Sequence, residues 1–314
     1  TGGSVLSGGI GGRRGLDRAR GVSKPRSKFR NFVEATAVRG LLGLASVAPI
    51  EFSVGVARVL DSLARRMRQT GERNLQLALP GLDAPKVVDG VFESLGRMLY
   101  YFSRLPSRRS GNIREWIEYE GFEHYQQAKQ RGKGVLFATG HIGNWELSAF
   151  AHALMCEPMH VVVRPLDNPL LDDLVKHYRT GSGNRILDKQ DFLRGILKAL
   201  AANEPVGILI DQNTLPENGT FVDFFGTLAC TGTTFAKLAH KTGAAVIPGY
   251  AIWDPTREKY VLKFDPVFEM TGDVATDTAR LTKHFEGVIR ERPDQWLWLH
   301  RRWKTRPEGS PPLY

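Results

Sequence analysis

Cysteine is nearly absent. The 314 residues hold two, Cys156 and Cys230, far apart and in no C-x-x-C pair. That leaves no ligand set for a metal and no disulfide framework, and it suits a reducing compartment. A membrane-crossing run is missing too. The stretch GLLGLASVAPI at 40–50 is eleven residues without a charge, but Glu51 stops it and Pro49 lies inside it. A spanning helix wants about 20 predominantly apolar residues, and proline breaks or kinks a helix interior. No secretory signal is apparent, because the basic run is too long and no small-residue cleavage site follows a short apolar core. The G-x-S-x-G elbow of a serine hydrolase occurs nowhere, and no internal repeat is visible.

Acid is scarce in one place only. Residues 13–30 carry eight Lys/Arg against Asp17 alone, so +7 of the formal charge of +10 lies there. The body is nearly balanced. Such a leader suits an anionic surface or is simply solvated. The balanced body argues against a nucleic-acid binder, and no nucleic-acid partner is expected. Residues 1–31 read as a disordered basic leader, rich in Gly, Ser and Arg. Residues 32–104 read as helical. Phe52, Val54, Val56, Val59 and Leu60 precede Arg65, Arg66 and Arg68. This is the pattern of helices lying in a membrane interface, or of an ordinary core-packing pair.

From Gly132 short apolar runs alternate with helical patterns. GVLFATG, HVVVRP, RILD and VGILID read as strands, each followed by a helix or loop. AAVIPGYAIW and KYVLKFDPVF read as paired late strands, with helices expected near 233–243 and 274–291. The alternation predicts an α/β fold with a mostly parallel sheet flanked by helices, over residues 105–307, and a short tail at 308–314.

In open α/β sheets functional groups gather at the carboxyl ends of strands. His141, Arg164 and Asp211 stand at three such ends. His141 lies in GHIGN, where Asn144 is placed to cap a helix starting at Trp145. Glu146 then falls in the first turn, from where its carboxylate is expected to reach the His141 ring. A carboxylate on one imidazole nitrogen fixes the tautomer and presents the other nitrogen as a base. With no nucleophilic Ser or Cys beside it, the base is expected to act on a substrate hydroxyl. The same His-x4-acid spacing recurs at His152 and Glu157, but inside an apolar helix and before Pro158. His152 is therefore read as a core or surface histidine. No metal site is expected.

Six blocks, in order over roughly residues 60–307, carry a resemblance. They are RNLQLALPGL (73–82), GHIGNWEL (140–147), RPLDNPLLDDLVKHYRTGSGNRIL (164–187), VGILIDQN (206–213), GTFVDFFGTLACTGTTFAKLA (219–239) and DQWLWLHRRWKTRP (294–307). Together the chain resembles the late acyltransferases of lipid A biosynthesis, the lauroyl/myristoyl branch of the lysophospholipid acyltransferase superfamily. The resemblance implies a glycerolphosphate-acyltransferase-like fold. It implies His141 as base with Glu146 as its partner, and roles for Arg179 and Asp211, with Asn144 and Arg164 as weaker carry-overs.

Also implied are acyl carrier protein as the thioester donor, a lipid acceptor in the membrane, no cofactor, and work at the cytoplasmic face of a bacterial inner membrane. The acceptor hydroxyl is expected on a lipid A precursor, with a lysophospholipid or other glycolipid as the alternative. From the residues alone, Arg179 could instead pair with Asp172 or Asp173 on its own helix. The C-terminal cluster that includes Arg301 and Arg302 could bind phosphates or form a solvated tail. Loop amides around Gly143 and an arginine are the candidate oxyanion donors. The chain departs from the family where members often carry an N-terminal spanning helix.

Overall fold

The computed structural model describes residues 27–187 and 192–314. Most of the basic leader, residues 1–26, lies outside the described residues. A helix has already begun at Lys28. Four helices come first: α1 (Lys28–Val47), α2 (Ile50–Leu63), α3 (Arg65–Ala78) and α4 (Ala84–Arg104). Pro49 falls between two of them. It forces Ala48 into an extended conformation, which ends α1, and itself stands at the start of α2. Helix α4 opens on a cap, with the Lys86 N–H donating to the Asp83 carboxylate at 3.2 Å.

These helices share a core with the rest of the chain. Val88, Val91 and Phe92 of α4 are buried in one cluster with Trp296 and Trp298. Asn74 of α3 donates to the carbonyls of Trp298 and His300 at 2.7 and 2.8 Å, which ties the RNLQ block to the C-terminal block. The outer helices are different. Among the described residues, of fourteen large apolar side chains that stay exposed, nine lie between Phe29 and Met67, among them Val47, Leu60 and Leu63. Among the described residues no helix is long and apolar enough to cross a membrane.

The α/β part runs β1 (Ile117–Glu120), α5 (Phe122–Gln130), β2 (Val135–Thr139), α6 (Trp145–Met155), β3 (His160–Val162), α7 (Pro169–Thr180), β4 (Arg185–Leu187), α8 (Phe192–Ala201) and β5 (Pro205–Leu209). Then come β6 (Gly219–Phe224), β7 (Thr227–Gly232), α9 (Thr234–Thr242), β8 (Ala245–Asp254), β9 (Lys259–Phe264) and α10 (Val274–Glu291). Seven strands form one sheet in the order β1-β9-β8-β2-β5-β3-β4. Every neighbouring pair is parallel except β8–β9, so the expected mostly parallel sheet is present. Val135 to Ala138 of β2 are all buried, as a central strand covered on both faces requires.

Two elements go beyond the sequence reading. Strand β1, IEYE, is a short edge strand whose charges hide it. The β6–β7 pair is an antiparallel hairpin outside the main sheet, in a block to which the sequence assigned no strand.

Candidate active site

The sheet register builds the site. Thr139 at the end of β2 pairs with Leu209 at the end of β5. His141 and Asp211 lie two residues beyond each, so the two side chains leave the sheet edge next to one another. The Asp211 carboxylate receives three hydrogen bonds. The His141 backbone N–H donates to Oδ2 at 2.7 Å, Nδ1 of the ring to Oδ1 at 2.9 Å, and the Trp296 indole to Oδ2 at 2.8 Å.

Burial alone would raise the Asp211 carboxyl, but the His141 ring and these donors hold it below the usual carboxylate range. Asp211 is thus an acceptor only, and Nδ1 of His141 carries the proton. Burial disfavours the His141 imidazolium, yet the Asp211 charge and hydrogen bond outweigh it and raise the ring above its ordinary value. Nε2 is left as the basic nitrogen. The Gln212 side-chain amide lies 3.3 Å from it.

The carboxylate on the ring is therefore Asp211, and the expected contact from Glu146 is replaced. Glu146 is gripped by Arg179 of α7, whose Nε and Nη2 donate to Oε2 and Oε1 at 2.8 and 2.5 Å. The reason is geometric. Asn144 caps α6 by accepting from the Leu147 N–H at 3.0 Å, and Glu146 in the first turn faces α7. The charge of Glu146 still helps raise His141, at longer range than Asp211. Arg179 does not pair along its own helix, since Asp172 takes Lys176 at 2.8 Å.

Only glycine fits the corner at residue 143. Its φ is +58°, and a Cβ there would stand 1.7 Å from the Ala251 carbonyl oxygen. The Gly143 N–H donates to the Gln295 carbonyl at 2.7 Å and the Asn144 N–H to that of Ala251 at 2.9 Å. Those two amides are already engaged. Asn144 itself is fully buried and serves the cap.

Behind the Glu146–Arg179 pair a narrow slot opens. Its walls include Phe137, Phe150, Met159, Val162, Leu209 and Phe264, with Thr139, Trp145, Glu146 and Arg179 at one end. The Trp145 ring meets the His141 ring edge-on at 5.0 Å and joins base to slot. Bare strand faces at Gly207 and Gly249 help make the room. A Cβ at Gly207 would stand 2.7 Å from Met159 Cε, and one at Gly249 would stand 3.2 Å from the Phe137 ring.

The remaining expected site residues separate. Arg164 is exposed and follows Val163, which lines the slot. Arg301 is exposed, with its guanidinium 5.7 Å from the Tyr314 ring centre. Arg302 is 1% exposed and cannot reach a phosphate. It donates to the Cys230 carbonyl at 3.0 Å and the Thr231 hydroxyl at 2.5 Å, pinning the C-terminal block to β7, and burial pulls its pKa down to about 10. His300 accepts the Asn213 N–H on Nε2 at 3.0 Å, and burial lowers it to about 4. Neither Trp296 nor Gln212 was expected in the site. Both sit in quoted blocks, Gln212 directly after Asp211, but only the fold shows their contacts.

A histidine held by a carboxylate at a strand end thus stands beside a largely apolar slot in an α/β fold. The family model for bacterial lipid A biosynthesis acyltransferases matches residues 23–305, and the chain belongs to that family. It is an acyltransferase. It is 34% identical over 269 residues to the lipid A biosynthesis lauroyltransferase of Escherichia coli, covering 83% of this chain and 86% of the relative. The palmitoleoyltransferase of the same organism is 30% identical over 258 residues, covering 80% and 83%. Its myristoyltransferase is 23% identical over 282 residues, covering 86% and 87%.

Proposed function

We propose that the chain moves a fatty acyl group from an acyl-carrier-protein thioester to a hydroxyl of a lipid A precursor. The observation that carries this is the His141 ring, held on Nδ1 by Asp211 with Nε2 touched only by the Gln212 amide, beside the apolar slot. The acyl tail lies in the slot, with its thioester at the Trp145 end. The acceptor hydroxyl donates to Nε2 of His141. As its oxygen attacks the thioester carbonyl, the proton passes to Nε2, and Asp211 stabilises the imidazolium. The oxyanion is met by side-chain donors, for which Arg179 and the Gln212 amide are the candidates. Collapse expels the thiolate, which takes the proton back from Nε2. Glu146 aims and anchors Arg179, so its part is positioning rather than holding the ring.

The proposed setting is the cytoplasmic face of the inner membrane, reached by interfacial attachment. Supporting it are the exposed apolar side chains of α1 and α2 with arginines nearby. Replacing Leu60 and Leu63 together by Glu should lower partition onto anionic vesicles by about tenfold or more, since each leucine loses apolar burial. Unchanged flotation would remove this attachment.

The decisive assay offers the purified chain an acyl-carrier-protein thioester with two acceptors, a lipid A precursor and a lysophospholipid, and weighs the products. Acylation of the first alone is expected, and acylation of the lysophospholipid alone would overturn the acceptor. Ala149→Phe, which fills the slot from α6, should stop transfer.

A further inference from the structure

His152 was passed over in the sequence because its acid partner lacked a strand end. The fold confirms that Glu157 is not its partner, since that carboxylate takes Tyr125 and Lys129. It also places the His152 ring on the wall of the slot. The histidine is 1% exposed. Nδ1 is 2.7 Å from the Tyr119 hydroxyl, and Nε2 is buried with no hydrogen-bond partner. Tyr125, Phe137 and Phe264 surround the ring, edge to face, at 4.8 to 5.6 Å between centres. Burial lowers its pKa to about 3, so the ring is neutral.

An imidazole nitrogen without a partner in a hydrocarbon wall costs about 1–3 kcal/mol, which plain packing would avoid with phenylalanine. We propose that His152 makes the inner end of the slot a polar subsite, selecting a fatty acyl chain that carries a hydroxyl on its distal part. The inference rests on the reading of the slot as the acyl site.

Depth supports a distal position. His152 lies six residues beyond Glu146 on α6. At about 1.5 Å per residue that is about 9 Å along the helix axis from the Glu146–Arg179 end of the slot. Chemistry supports a hydroxyl. The Tyr119 phenol can donate to Nδ1, leaving Nε2 as donor, or accept from it, leaving Nε2 as acceptor. A hydroxyl satisfies either form. A charged group would find no free counter-ion, since Lys129 is paired with Glu157, and a double bond would leave Nε2 unpaired.

The test uses free fatty acids as probes, titrated calorimetrically into the full chain. The series has one length and walks a hydroxyl along the chain, with the plain acid as reference. One distal position should bind about tenfold tighter than the plain acid, the fold-change of a well-made hydrogen bond. His152→Phe should erase that preference, and His152→Gln, which keeps a polar group, should retain part of it. The inference is overturned if no position binds tighter than the plain acid, or if His152→Phe keeps the preference. If Ala149→Phe leaves binding of the plain acid untouched, the acyl reading of the slot falls and takes the subsite with it. If that variant blocks binding but no hydroxyl is preferred, only the subsite falls.

Discussion

Two histidines belong to the same helix-and-corner unit and are built for opposite tasks. His141 stands just before α6 and His152 in its second half. Each has Nδ1 taken by an oxygen at short range, 2.9 Å to Asp211 and 2.7 Å to Tyr119. The partner decides the outcome. An ionised carboxylate overcomes burial and raises His141, whereas a neutral phenol does not, and burial takes His152 down to about 3. The first ring takes up a proton more readily than an ordinary imidazole, and the second can only hydrogen-bond. Within one fold, partner charge matters more than depth, since Asp211 itself is buried yet stays ionised.

The hardest way to break the contrast is to remove the first ring. His141→Ala should lower kcat by about 10³-fold, within the usual range for a general base, while the folded state survives. A folded variant with near-normal turnover would end the mechanism. Asp211→Asn should come next, at about 10²-fold. The sign of its pH effect is fixed by the charge. Wild-type activity needs neutral His141, so it rises with pH through a value above that of an ordinary imidazole. Without the carboxylate that limb should move to lower pH. A limb that stays in place would mean that Asp211 does not set the base.

A third, smaller effect separates Glu146 from the role first expected of it. If Glu146 held the ring, Glu146→Gln would move the acid limb as far as Asp211→Asn does. In the observed arrangement it loosens Arg179, so kcat/KM should fall about tenfold while the limb shifts less. Arg179→Lys should behave alike, because an ammonium cannot reproduce the two-pronged grip. The pair is partly buried, so the loss is smaller than for a fully desolvated ion pair.

The legible parts of this molecule were those written in short range. Apolar runs such as VLFAT gave strands, and Asn144 and Gly143 marked the corner. The late strand pair followed from two adjacent apolar segments. What stayed hidden needed distance in sequence. His141 and Asp211 are brought together by strand register, and no local pattern encodes a register between β2 and β5. Both residues were placed in one crevice, but the nearer acid was given to the ring. Glu146 and Arg179 meet only because α6 packs near α7. Arg302 looked like a surface cation because its neighbours are basic, and only the β6–β7 hairpin shows what covers it. His152 was dismissed for lacking a strand end, although a histidine inside WELSAFAHALM was already an anomaly of polarity.

The gentlest test acts on the second histidine. Tyr119→Phe removes the phenol from Nδ1 of His152 and leaves the ring in its aromatic surroundings. A buried nitrogen losing its partner should cost about 1–3 kcal/mol of stability, read as a lower denaturant midpoint at constant m-value. His152 is neutral with or without the phenol, so the acid limb of the pH–rate profile should not move. The ring has no charge to lend His141. A shifted limb after Tyr119→Phe would show that the two histidines are electrostatically linked through the slot, and the division of labour between them would have to be abandoned.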